Sequence, residues 1–320
     1  MGRRYPHRGP HRVLPRMSLA AAPALPFGAA VAGMAASVAG RYLLKERLGR
    51  GAAAEVFRAV DLAGGPDVAV KVAVTNNRKQ HERIRNEADV LRVLHHPSIV
   101  RLHAHGAMPD GGPLSRRPFL VEELALGASL AGVIRGQSAQ PGHVARWARG
   151  FFDALAHLHS NGLVHRDIKP ANLMLSGLRR SPVRIIDFGI AAEAGSRPEP
   201  GMSSGTVHYM SPEQASGGRA EPSWDVYAMG LVLLELLTGA KAFPGTAVES
   251  LVARTLRSPE VPGHLGEWAV LLRSLTAMDP GERPTAEGAA AMAAHLVPVV
   301  AVASGDKQPA WTAGKVLRGR

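Results

Sequence analysis

Two short runs in the second half of a 320-residue chain hold the side chains needed to move a phosphoryl group. The first is His165-Arg166-Asp167-Ile168-Lys169-Pro170-Ala171-Asn172. The second, Asp187-Phe188-Gly189, begins fifteen residues after Asn172. Phosphoryl transfer asks for a carboxylate beside the attacking hydroxyl, a cation on the moving group, and two side chains that hold magnesium. Asp167 supplies the carboxylate, Lys169 the cation, and Asn172 and Asp187 the magnesium ligands. A His-Arg-Asp run alone would read as a surface turn with an ion pair. With Asn172 and Asp-Phe-Gly following in order, that reading fails.

Together these runs resemble the signature set of the eukaryotic-like protein kinases, and the chain is similar to their bacterial Hanks-type serine/threonine branch. The resemblance covers about residues 41–296. It implies an α+β, bilobal protein-kinase-like fold: a small antiparallel β-rich N-lobe with one main helix, and a larger, mainly helical C-lobe. ATP would lie between the lobes. Asp167 would accept or orient the substrate hydroxyl, and Lys169 would neutralise the γ-phosphate. Asn172 and Asp187 would ligate Mg2+, with Mn2+ as the alternative.

The same resemblance assigns the nucleotide site. Gly49-Arg50-Gly51-Ala52-Ala53-Ala54-Glu55-Val56 resembles the glycine-rich loop over the ATP phosphates, where glycine lets backbone N–H groups come close. Ala54 stands where the family has a third glycine. Lys71, in Val68-Ala69-Val70-Lys71, would contact the phosphates and needs a carboxylate from the following helix. Glu87 fits the family spacing, nine residues before His96-Pro97, and Glu82 is the competitor. Leu48, Val56, Ala69 and Met174 match the positions that sandwich adenine. Glu123 and Ala125 match those that offer it backbone contacts. Glu122 then falls at the residue guarding the rear of the ATP pocket, where most kinases place an apolar or Thr side chain. Buried without a partner it is costly, so it finds a donor, takes a proton, or turns to a wet side of its strand.

Further matches are structural. Gly205-Thr206-Val207-His208-Tyr209-Met210-Ser211-Pro212-Glu213 resembles the end of an activation segment, with Glu213 expected to pair with Arg283. Asp225 would cap the catalytic loop. His165, Phe188 and Leu91 match an apolar stack linking the lobes. Lys169 and Thr206 favour serine or threonine as acceptor, so a protein substrate is expected, with self-phosphorylation. Arg166 before the catalytic Asp points to phosphate on Ser203 or Ser204, with Ser196 the other hydroxyl in the loop. The alternative is constitutive activity, with Pro198 and Pro200 stiffening the loop or Glu199 standing in for phosphate. A small-molecule phosphotransferase would lack the Thr206–Glu213 segment, and a scaffold would have lost Lys71, Asp167, Asn172 or Asp187.

Elements that must position these groups follow from pattern. Tyr42-Leu43-Leu44 through Gly51 to Glu55-Val56-Phe57 reads as strand, glycine turn, strand. Val68–Val72 and Phe119–Val121 read as further strands. Apolar spacing predicts helices at 79–94, 143–160, 223–237, 247–256, 266–277 and 286–296. Asn161-Gly162 should end the second of these.

Composition excludes more than it selects. The absence of cysteine rules out disulfides and thiolate metal sites. Of the net charge of +12, eight units lie on the two ends, on Arg3, Arg4, Arg8, Arg12 and Arg16 and beyond Ser304. Charge gathered there argues against a nucleic-acid partner. Residues 1–40, basic and then uncharged and alanine-rich, are expected to be a disordered extension, or translation starts at Met17. Pro23 and Pro26 interrupt any membrane span there. The kinase-like domain is expected at 41–296, dividing near 124, with a basic tail at 297–320. A cytoplasmic location fits ATP use. Neither the oligomeric state nor the particular substrate is encoded in any feature of the sequence.

Overall fold

A computed structural model describes residues 37–136, 139–176, 181–197 and 207–297. Six strands form an antiparallel sheet: β1 (Ser37–Val38), β2 (Tyr42–Arg50), β3 (Ala54–Asp61), β4 (Val68–Ala73), β5 (Leu102–Ala107) and β6 (Pro118–Glu123). Their spatial order is β1-β2-β3-β4-β6-β5. Helix α1 (Arg78–Val93) connects β4 to β5, with the Asn77 side chain accepting from Gln80 N as its N-cap.

Side-chain alternation gives the sheet two different faces. Phe57 lies opposite Val70, Val70 opposite Val121, and Val72 opposite Phe119, and with Leu44, Ala59 and Val68 they form one apolar cluster. The other face carries the row Val56, Lys71 and Leu120 and the row Arg58, Ala69 and Glu122. Leu120 belongs to the large core that contains Ile84, Ala88 and Leu91 of α1. Lys71 is therefore aimed towards the helix because valines hold its neighbours on the opposite face.

Beyond Glu123 the chain is mainly helical. It comprises α2 (Leu130–Gly136), α3 (Pro141–Ser160), α4 (Pro212–Ala215), α5 (Pro222–Thr238), α6 (Ala247–Leu256), α7 (Glu267–Leu275) and α8 (Ala286–His295). Short strands β7 (Leu163–Val164), β8 (Leu173–Leu175), β9 (Val183–Ile185) and β10 (Ala192–Glu193) carry the segments between α3 and α4. They pair as β8–β9 and β7–β10. Helix α5 is buried from Trp224 to Leu236, begins with Pro222 and stops at Gly239 in the left-handed region. This is the α+β, two-lobed plan expected from the sequence.

The expected helices occur with ends within two residues of the pattern, and Gly162, with φ of +70°, follows α3. Strand β1 lies ahead of Arg41, pairing with β2. Helix α6 departs from the apolar-in rule: Ser250 and Arg254 are buried while Val248, Val252 and Leu256 are exposed. Arg254 satisfies its guanidinium with the carbonyls of His208, Met210 and Ser250 and with Ser250 Oγ. Among the described residues no helix is long and apolar enough to cross a membrane.

Gly127 joins the two lobes at φ of +131°, where an added Cβ would lie 1.9 Å from Leu175 O. Neither the backbone conformation nor that carbonyl can yield cheaply. Gly127→Ala is expected to destabilise the domain by at least about 1–3 kcal/mol, read as a lowered denaturation midpoint.

Candidate active site

Lys71 is the centre of the ionic site. Its Nζ donates to Glu87 Oε1 at 2.8 Å and Oε2 at 2.9 Å, and to Asp187 Oδ1 at 2.6 Å. Glu82, the competing carboxylate, instead pairs with Arg78 on the exposed side of α1. Burial alone would lower the Lys71 pKa, but Asp187 and then Glu87 outweigh it and hold the ammonium above the ordinary lysine value. Burial would likewise raise Asp187, yet Lys71 keeps that carboxyl below its usual range. Glu87 goes the other way: burial, against the pull of Lys71 and reinforced by Asp187, raises its carboxyl above the usual range, so the site holds Lys71 and Asp187 in their charged forms.

The loop of residues 165–172 is held from two sides. Asp225 of α5 accepts from the backbone of His165 at 2.8 Å and of Arg166 at 2.9 Å, and from His159 Nε2 at 2.9 Å. Gln214 donates to Arg166 O at 3.0 Å. These bonds hold Arg166 at φ of +65°, a left-handed conformation that a side chain disfavours. Asp187 has φ of +62° and is the second such residue of the site. Burial opposes ionisation of Asp225, but the His159 hydrogen bond and charge hold its pKa below the usual aspartate value.

Within the loop, Asp167 Oδ2 accepts from Lys169 Nζ at 2.7 Å and from Asn172 Nδ2 at 3.0 Å. The same amide donates to Asp167 O at 2.9 Å, which leaves Asn172 Oδ1 as the end suited to a metal. Asp187 and Asn172 therefore offer hard oxygen donors, the chemistry magnesium prefers. His165 packs edge-on against Phe188 with ring centroids 4.8 Å apart, both rings are buried, and Phe188 shares the main core with Leu91. His165 Nδ1 accepts from Asp167 N at 3.3 Å.

Around the ions the expected nucleotide residues come from both lobes. Gly49 pairs with Val56, and an added Cβ at Gly49 would meet nothing within 4 Å, so the backbone there is open. Leu48 is 47% exposed, Val56 partly exposed and Ala69 buried. Met174 alternates with buried Leu173 and Leu175 and so faces away from the core side of β8. Ala125 packs on the main core. Glu123 N donates to Arg101 O at 2.8 Å, so a base contact from this residue falls to its carbonyl; its side chain pairs with Arg184 at 3.1 Å.

Glu122 is buried rather than wet. Glu213 and Arg283 form the expected bidentate pair, at 3.0 and 2.7 Å, with Tyr227 under the guanidinium. Ser203, Ser204, Gly205 and Thr206, with Pro198, Glu199 and Pro200, lie outside the described residues. Ser196 donates its hydroxyl to Glu193 O within a turn.

The protein kinase domain model matches residues 42–295 of the chain. The chain belongs to the protein kinase domain family. Serine/threonine-protein kinase PknB of Mycobacterium leprae is 37% identical over 230 residues, 69% of this chain and 36% of the relative. The Mycobacterium tuberculosis PknB is 37% identical over 231 residues, and the PknA of that organism 34% identical over 232 residues, 71% of this chain and 53% of the relative. The chain thus spans between about a third and a half of the length of these kinases. Membership implies ATP and a divalent metal as the family's common reagents.

Four positioning residues of this kinase domain carry no motif signal. Arg83 donates to Gly189 O at 3.1 Å, and its place four residues before Glu87, on the same face of α1, was the available clue. His159, Gln214 and Arg184 reach the site across long sequence separations and have no local signature. Because Asp225 satisfies two buried backbone donors as an anion, Asp225→Asn is expected to cost about 3 kcal/mol at pH 7. Its folded pKa is lowered, so that stabilisation is present above the unfolded value and disappears as the acid protonates. Denaturation curves of the two proteins should therefore converge as pH falls below about 4.

Proposed function

We propose that this domain transfers the γ-phosphoryl group of ATP to serine or threonine hydroxyls of protein substrates, and to hydroxyls of its own chain. One observation carries the reading: Lys71 is bound to both Glu87 and Asp187 within 2.9 Å. Ions held this way on three separate parts of the chain preorganise charge, which is most of what phosphoryl transfer requires of a protein.

Each residue then has a task. Lys71, kept charged, takes the nucleotide phosphates, while the open backbone at Gly49 lies over them and Gly51, whose N–H donates to Ala54 O at 2.8 Å, shapes the turn of that loop. Leu48, Val56, Ala69 and Met174 enclose the base, and the Glu123 carbonyl and Ala125 backbone bond its edge. Asp167, oriented by Lys169 and Asn172, aligns the acceptor hydroxyl and takes up its proton. Lys169 neutralises charge on the phosphoryl oxygens. Asn172 and Asp187 would hold Mg2+, or Mn2+, which when bound neutralises charge on the phosphates.

Acceptor class rests on Lys169, two residues after Asp167, and on the names of the relatives. The Glu213–Arg283 pair, which braces the segment that ends at Glu213, fits a protein substrate better than a small-molecule acceptor. An ATP-consuming reaction fits the cytoplasm.

Magnesium-dependent labelling from γ-labelled ATP tests the reading, with phosphosites mapped by mass spectrometry. Asp187→Ala is expected to label at least about a hundredfold more slowly than wild type, while still unfolding cooperatively. Equal labelling rates would overturn the assignment.

A further inference from the structure

Glu122 is a buried acid on the cleft side of the sheet that the transfer chemistry leaves unused. It lies opposite Ala69 of β4 and Leu102 of β5. Opposed residues of an antiparallel pair share a face, as do residues two apart on one strand. Glu122 is therefore a diagonal neighbour of Lys71 on the same face. The residue is 8% exposed, and its Oε2 is buried with no hydrogen-bond partner among the described residues.

The charged groups acting on it are Glu87 from α1, Lys71 from β4, Asp187 from the segment after β9, and Glu123 on its own strand. Its strand neighbours Ala69 and Leu102 are apolar. Three of those four groups are acidic, and the one cation is already engaged by Glu87 and Asp187. Burial, followed by the charge of Glu87, pushes the Glu122 carboxyl up to about 8 against the pull of Lys71.

A nucleotide would bring its phosphates to Lys71. That adds negative charge near Glu122 and weakens the one attraction that favours its ionised form. Bound nucleotide and ionised Glu122 therefore disfavour each other, and the coupling is reciprocal. We propose that Glu122 makes nucleotide binding proton-linked: the cleft takes its nucleotide with Glu122 as a neutral acid, and ionisation of Glu122 weakens binding. The inference rests on the nucleotide reading of the cleft given above. The sign for stability follows from a folded pKa raised above the unfolded value, and the sign for nucleotide affinity from the added phosphate charge, which raises it further. Both stability and nucleotide affinity are fully present at low pH and decline as pH rises through the titration.

Isothermal calorimetry of the full chain with magnesium and ADP, in buffers of differing ionisation enthalpy, measures the linked proton directly. At pH 8 wild type is expected to take up roughly half a proton on binding, and Glu122→Gln none. From pH 7 to 9 wild-type affinity should fall up to about tenfold more than that of Glu122→Gln. Equal proton uptake with parallel pH profiles would overturn the inference while leaving the nucleotide site standing. Absence of ADP binding by wild type at every pH would overturn the nucleotide reading and this inference with it. Glu122→Met, which also cannot titrate, provides the same comparison should the glutamine variant not fold. Denaturation between pH 5 and 9 gives a second readout: wild type should lose stability relative to either variant as pH rises, and parallel curves would contradict the proposal.

Discussion

A buried ammonium must be compensated where it lies, and Lys71 is compensated by residues from two other parts of the chain. The side chain is on β4, Glu87 is on α1, and Asp187 follows β9. Removing Glu87, whose side chain is 1% exposed, leaves the ammonium without its buried partner at a cost of ~3–5 kcal/mol, while the Asp187 pair, 37% exposed on the acid side, contributes less. The three elements are therefore set relative to one another by electrostatics, and the apolar rows around Leu120 and Phe188 fill the space that the ions define. Arg83 adds a further tie from α1 to Gly189.

The catalytic loop is built on the same logic with backbone groups in place of a cation. Asp225, sunk into α5, accepts two main-chain donors and a histidine, and Gln214 secures the next carbonyl. That network holds a left-handed arginine immediately before Asp167. Strain is stored at Arg166, beside the acid expected to handle the hydroxyl, and at Asp187, the acid expected to handle the metal. Packing of α5, buried on every side, anchors Asp225 and so carries helical burial into the geometry of Asp167.

Much of this was legible in the sequence where the chemistry is local. Asp167, Lys169 and Asn172 act within one loop, so their spacing survives as a motif. Pro222 and Gly239 bracket α5, and alternation of Val68, Val70 and Val72 with Ala69 and Lys71 marks a strand with two unlike faces. Long-range partners outside the motifs left no such trace: His159 meets Asp225 from 66 positions away, and Arg184 meets Glu123 from 61. Strand β5, Leu-His-Ala-His-Gly-Ala, has few residues with β preference and owes its form to pairing with β6. In α6 the apolar residues face outward because carbonyls of His208 and Met210 need Arg254 more than the core needs another valine. Glu122 stood out by residue type alone, but only the sheet register shows that it shares a face with Lys71.

The claim on which the rest depends is that Lys71 and Glu87 act as one unit in holding nucleotide. A double-mutant cycle on ADP affinity measures this, using Lys71→Met, Glu87→Gln and the combined variant. If the pair acts as a unit, Lys71→Met alone weakens binding about as much as both changes together, with a coupling energy of roughly 1–3 kcal/mol. Strictly additive losses would contradict the account, since Glu87 would then contribute without Lys71.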